Sequence, residues 1–250
     1  MQAIKHEITH HYQPTSSSCG YASLSMLLSH YSQDIPTEEL LHQVPQGKDE
    51  SGEPIGSLTA QLAEWCAKQG YKVDFISFDF LITDLSWIGL NNEQLVEKLE
   101  AVKDVRDVHN VGGKYWSQMY VKAYIDLIKS GGTLSVMPHV TTKLLYEKLK
   151  AAPVYVNICS SVVHGTGRRQ HPEADTAKRL SVDDDIHGTI GTHSVVIYGN
   201  DEDGRFLVAD PWDGLEVIDP ETMICGITAA ELECDAQCFQ LTTNRPVALS

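Results

Sequence analysis

Residues 193–210 read HSVVIYGNDEDGRFLVAD, and no other stretch restricts the fold of this chain as tightly. Two β-type runs, HSVVIYG (193–199) and RFLVAD (205–210), are joined through Asp203-Gly204. An aspartate–glycine pair between such runs is the chemistry of a reversing turn, so the segment predicts an antiparallel hairpin. In such a hairpin the start of the first strand lies beside the end of the second. His193 and Asp210 are therefore expected to be neighbours, with an imidazole in reach of a carboxylate at one end of a sheet.

The second constraint lies far upstream, in QPTSSSCGYASLSMLLSHY (13–31). Leu24, Leu27, Leu28 and Tyr31 recur at helical spacing and predict an amphipathic helix that Cys19 opens. The serines before it offer N-cap oxygens. A thiol at a helix N-terminus sits at the positive end of the dipole, which lowers its pKa and favours the nucleophilic thiolate. A buried core thiol, a disulfide partner and a metal ligand are the other roles open to Cys19. The six cysteines, at 19, 66, 159, 225, 234 and 238, include no C-x-x-C pair. Structural zinc is therefore not expected, and no cofactor is implied. Cys66 and Cys159 fall on predicted buried faces and read as small core residues.

Between and after these segments the pattern alternates less clearly. A short helix is expected from Thr37 to near Pro45, then a turn-rich stretch. Ser57 is expected to cap a helix with Leu58, Leu62, Trp65 and Cys66 on one face, stopping at Gly70. A strand follows over 71–80, helices over 92–106 and 115–129, a strand over 133–137, a helix over 142–151 and a buried strand over 153–162. After the hairpin come a turn at 211–214, a short helix over 228–235 and a closing strand over 238–242. Helices first and strands later predict an α+β fold, with an N-terminal helical part packed on a C-terminal antiparallel β-sheet. The 250 residues show no internal repeat and read as a single domain, 1–250, interrupted by a polar insertion at 163–191. A loop that long is usually functional or disordered.

The net charge of −15 argues against a nucleic-acid partner, because the chain would repel a phosphate backbone. No apolar stretch reaches the length of a membrane span, and the first residues lack the apolar core of a signal peptide. A cytoplasmic location without membrane association is the resulting expectation. Oligomeric state is not legible.

The chemistry permitted by this order is nucleophilic catalysis. Cys19 would attack a carbonyl, His193 would serve as base, and Asp210 would orient its ring. The Cys19 backbone N–H and the Gln13 side-chain amide would receive the oxyanion. His164, His171 and His187 are rival bases, but none opens a strand that pairs back to an aspartate. Asp210 also reads as a plain turn residue before Pro211. Asp183, Asp184, Asp185 and His187 read as a solvated charged loop or, alternatively, a cation site. Trp212 would either wall the site or anchor the hairpin.

Three motifs carry a resemblance. They are Gln13-PTSSS-Cys19-Gly20-Tyr21-Ala22, then Gly191-Thr192-His193-Ser194-Val195-Val196, then Val208-Ala209-Asp210-Pro211. Their order resembles the papain-like cysteine peptidases, and more closely the C39 and C39-like peptidase family. The resemblance implies a papain-like cysteine peptidase fold. It gives Gln13, Cys19, His193 and Asp210 the roles of oxyanion donor, nucleophile, base and orienting group. The implied activity is cleavage of a peptide or isopeptide bond in a peptide or protein substrate through a Cys19 thioester. An acyltransferase using an amine acceptor, or an inactive binding module, would share the same residues.

Overall fold

The strands form where β-branched and aromatic residues alternate, as in VYVNIC, THSVVIYGN and QCFQLT. The computed structural model describes residues 2–48, 50–52, 54–107, 113–170 and 182–242. Among these, one eight-stranded sheet organises the molecule. Its strands run, in spatial order, β11 (Gly214–Ile218), β10 (Phe206–Asp210), β9 (Thr192–Asn200), β6 (Val154–Cys159), β12 (Gln237–Thr242), β4 (Lys72–Ser77) and β5 (Thr133–Val136). The short β1 (Ile4–Lys5) adds to the far end of β9, where Gly199 lets its backbone approach closely. All pairings in this sheet are antiparallel except β4 with β5. Two small hairpins stand apart: β2 (Gly47–Lys48) with β3 (Pro54–Gly56), and β7 (Arg169–Gln170) with β8 (Val182–Asp183).

Both faces of the sheet are covered. On one face lie α1 (Cys19–Ser29), α2 (Thr37–Gln43), α3 (Thr59–Lys68), α4 (Asn92–Val102) and α5 (Gly113–Lys129). There Tyr21, Leu24, Leu62 and Tyr124 pack against Phe75, Tyr155 and Phe239 of the sheet. Tyr155 and Phe239 stack with ring centroids 4.6 Å apart. On the other face α6 (Thr142–Leu149) and α8 (Pro220–Ala229) set Leu145, Leu149, Met223 and Ile227 against Val156, Ile158, Val195 and Ile197. The short α7 (Ser160–Val163) follows β6 directly. Alternate residues of β6 thus serve opposite layers, since Tyr155 faces the first and its neighbours Val154 and Val156 the second. Each such fully buried side chain contributes about 1.5–3 kcal/mol. No helix among the described residues is long and apolar enough to cross a membrane.

The structure corrects several expectations. The sheet is mostly antiparallel, but its helices are not segregated to one part of the chain: β4 lies between helices α3 and α4 of the first half, and α6 and α8 of the second half cover the other face. The helix at Cys19 is buried over Gly20–Leu28 rather than amphipathic. Its serines remain compatible with burial because Ser23 and Ser25 donate to the carbonyls of Ser194 and Ile35. Ser18 occupies the N-cap, yet its hydroxyl bonds back to Thr15 instead of capping. Ser57 does not cap α3 either. Leu58 holds that position, and Ser57 sits where any Cβ at Gly20 would collide with it. The turn at 211–214 leads into β11, and the helix placed at 228–235 runs over 220–229 instead, followed by a three-ten turn at 230–233. Asp219-Pro220 supplies its start, with the Asp219 carboxylate accepting from Thr222 N. Within the polar stretch, the described parts hold the end of α7 and the β7–β8 hairpin, while 171–181 lies outside the described residues.

Candidate active site

Cys19 is the first residue of α1, so its backbone N–H has no acceptor within the helix. The glycine after it permits close packing on α3's entry, because a side chain there would strike Ser57 and crowd the Tyr155 hydroxyl. Four residues on, Ser23 Oγ donates to Ser194 O at 2.7 Å. Ser194 Oγ donates to Asn157 Oδ1 at 2.9 Å, and Asn157 Nδ2 donates to Thr59 Oγ1 at 2.6 Å. This buried polar chain ties α1, β9, β6 and α3 together one residue from His193. A fully satisfied buried network of this kind holds its elements in one relative position.

The β9–β10 register accounts for the next pair. Ala209 faces Val196, so Asp210 falls opposite Val195 one step further. His193 lies two residues beyond Val195 and on the same face. His193 Nε2 is 2.8 Å from Asp210 Oδ1, and that nitrogen carries the proton it donates to the carboxylate. The same Oδ1 accepts from the backbone N–H of Trp212 at 2.6 Å and of Asp213 at 3.1 Å. Asp-Pro-Trp-Asp is thus a tight turn that wraps its own carboxylate.

Electrostatics follow from this packing. Burial pushes the Asp210 carboxyl up, but the charge of His193, the His164 imidazole 3.4 Å from Oδ2, and hydrogen bonds from His193 and Trp212 N hold it far below the carboxylate range. Burial disfavours a charged His193, yet the Asp210 charge and hydrogen bond, with contributions from Cys19, raise it well above an ordinary imidazole. Burial likewise pushes Cys19 up. The hydrogen bond and charge of His193, then hydrogen bonds from Ser194, more than offset this, and the thiol lies below its ordinary value. The sulfur and the imidazole are therefore in interacting contact, with Nδ1 the ring nitrogen left to face the thiol.

Gln13 is buried beside this group. Its backbone N–H donates to Pro211 O at 2.9 Å, which fastens the segment before α1 to the turn after β10. Its side-chain Nε2 donates to Thr15 O at 2.7 Å. His10 Nε2, 2.8 Å from Asp210 O, makes a second such tie. Gln13, His193, Trp212, Asp213 and Glu216 line a cavity of about 480 Å³. Trp212 thus walls the cavity.

The structure brings all four predicted site residues to one end of the sheet. The rival histidines take other places. His187 is exposed and lies 3.3 Å from Asp184 Oδ2 in a local turn, so the acidic stretch there reads as a solvated loop. His171 lies outside the described residues. His164 takes a position the sequence does not announce: Nε2 is 3.4 Å from Asp210 Oδ2, the oxygen that His193 does not use. Ser23, Ser194 and Asn157 are the other residues missed. The one available signal was a pair of serines inside an otherwise apolar helix.

The chain is similar to a known family along most of its length: the model of the Peptidase_C39 like family matches residues 5–225. No curated protein matches it. Among solved structures, a protein from Bacillus anthracis provisionally described as a C39-like peptidase is 12% identical, with a TM-score of 0.48 over 98% of this chain and 99% of that one.

Proposed function

Because the chain belongs to the Peptidase_C39 like family, we propose that it is a single-domain cysteine peptidase or amidohydrolase of papain-like arrangement, acting on a peptide or protein through Cys19. The observation that carries this reading is the contact chain from Cys19 to His193 to Asp210 Oδ1. Each shift in that chain favours a thiolate beside an imidazolium, the resting state a thiol nucleophile requires.

The reaction then runs in two halves. The Cys19 thiolate attacks the scissile carbonyl carbon, and the carbonyl electrons move onto oxygen. The Cys19 backbone N–H is one donor for that oxyanion, and the Gln13 amide, which carries a second hydrogen besides the one given to Thr15, is the other. The tetrahedral adduct collapses as the carbon–nitrogen bond breaks, and the leaving amine takes the proton from His193 Nδ1. His193, now neutral, removes a proton from water as it attacks the thioester. The acid product leaves, and proton and thiolate return to their starting places. Asp210 holds the ring and supports its charge throughout.

The test is selective alkylation. Iodoacetamide at pH 6 should label Cys19 far faster than a model thiol, with the label located by peptide mass spectrometry. A rate equal to that of the model thiol would remove the thiolate on which the reading depends. A library of peptides incubated with the chain and with Cys19→Ala then identifies the bond cleaved.

A further inference from the structure

His164 is the titratable group at this end of the sheet that the peptidase chemistry leaves unused. It caps the C-terminus of α7. α7 packs so closely on α8 that a Cβ at Gly226 would collide with Val163, so the position of the following histidine is set by the fold. Three carboxylates surround its ring. Nε2 lies 3.4 Å from Asp210 Oδ2 and 3.7 Å from Asp213 Oδ2, and Nδ1 lies 3.8 Å from Glu216 Oε2. Against these three acids stand two imidazoles, His164 and His193. Among the described residues no lysine or arginine lines the cavity they share.

One oxygen in this group is conspicuously underused. The Asp210 side chain is 1% exposed. Its Oδ1 accepts from His193, Trp212 N and Asp213 N. Its Oδ2 is buried and accepts no well-directed hydrogen bond, His164 standing 3.4 Å away. A buried carboxylate oxygen in that state carries a desolvation penalty that a cation would offset. One ligand atom each from His164, Asp210 and Glu216 lie within 4.8 Å of one another. A tetrahedral ion with bonds of about 2.0–2.1 Å spaces its ligands by about 3.4 Å, the separation already present between His164 and Asp210.

We propose that His164, Asp210 and Glu216, with Asp213 at the rim, form a binding site for a divalent transition-metal ion of the zinc class. The imidazole is the donor that selects zinc over calcium or magnesium, and zinc also accepts the hard carboxylate oxygens beside it. Asp210 would bridge the two halves of the region, holding His193 through Oδ1 and the ion through Oδ2. A remaining coordination position would face the cavity and take water. The site does not depend on the peptidase reading.

The test uses the full chain carrying Cys19→Ala, which removes the thiolate as a competing ligand. Zinc is titrated by calorimetry and cobalt(II) by visible absorption. The expected result is one ion per chain and a tetrahedral cobalt spectrum without a thiolate charge-transfer band. His164→Ala and Glu216→Gln, each added to that background, should weaken binding by at least about tenfold. Glu216→Gln conserves size at a side chain that is 28% exposed, so this variant should fold, and a metal-free melting curve checks it. Absence of stoichiometric binding, binding indifferent to both substitutions, or a spectrum with a thiolate band would each overturn the site.

Discussion

Buried carboxylates flank two neighbouring residues of β9, and their pKa values move in opposite directions. Beside His193, Asp210 is held ionised. Beside Thr192, Asp235 lies against neutral donors, the hydroxyls of Thr192 at 2.9 Å and Tyr120 at 3.0 Å, with Glu233 as a like charge. Burial pushes Asp235 up to about 7, and burial does the same to Asp79, on which Asp235 acts as a like charge, also to about 7. Desolvation acts on all three. What separates them is the partner: an imidazole that can carry charge on one side, and hydroxyls and backbone amides on the other. A buried carboxylate is thus a working ion only where the fold delivers a cation to it.

The sharpest way to break this contrast is to remove the groups that depend on the ionised side. Cys19→Ala should abolish turnover while leaving the melting temperature nearly unchanged. His193→Ala should cost about 10³-fold or more in kcat/KM. Retained activity in either variant would end the assignment. Asp210→Asn should cost less than His193→Ala, since the hairpin and the turn amides still position the ring. Steady-state kinetics on any cleaved peptide, with chelator present, measures the series.

Stability against pH tests both sides of the comparison at once. Asp210 has a folded pKa below its unfolded value, so its contribution is present above about pH 4 and lost as pH falls further. Asp79 and Asp235 have folded pKa values above their unfolded ones. They oppose folding increasingly as pH rises from about 4 to about 7, and the full penalty applies above that. Asp79→Asn should therefore raise the melting temperature at pH 8 relative to pH 5, because it keeps the Oδ1 acceptor for Leu81 N and removes the charge. Asp210→Asn should flatten the acid limb instead. Thermal melts from pH 3 to pH 9 distinguish them, and identical profiles for the two variants would erase the contrast.

The smallest expected effect concerns the polar chain behind the site. Ser23→Ala leaves the Ser194 carbonyl without its hydroxyl donor and should cost about 1–2 kcal/mol in denaturant unfolding. No loss would mean that α1 is fixed by apolar packing alone.

These cases also explain what the sequence reveals. The 193–210 hairpin is legible because turn chemistry is local, and the proximity of His193 and Asp210 follows from strand geometry alone. The motif at Cys19 is legible because a helix start is local too. The place of His164 is not, since it depends on α7 packing against α8, an element whose start the Asp219-Pro220 pair marks but whose apolar spacing is weak. The buried serines of α1 are equally silent. Ser23 finds its partner on β9, more than 150 residues away, and nothing in the spacing of the helix names it. The helix–sheet order misleads for the same reason, because sheet neighbours are chosen by long-range pairing and not by chain order.

The position of β12 has a consequence for the timing of synthesis. This strand is the last described element, yet it lies between β6 and β4 and completes the middle of the sheet. A nascent chain that has exposed the thiol, the imidazole and the aspartate still lacks the seam joining its two flanks. Such a chain has the chemical groups but no rigid frame to hold them until β12 pairs with both flanks.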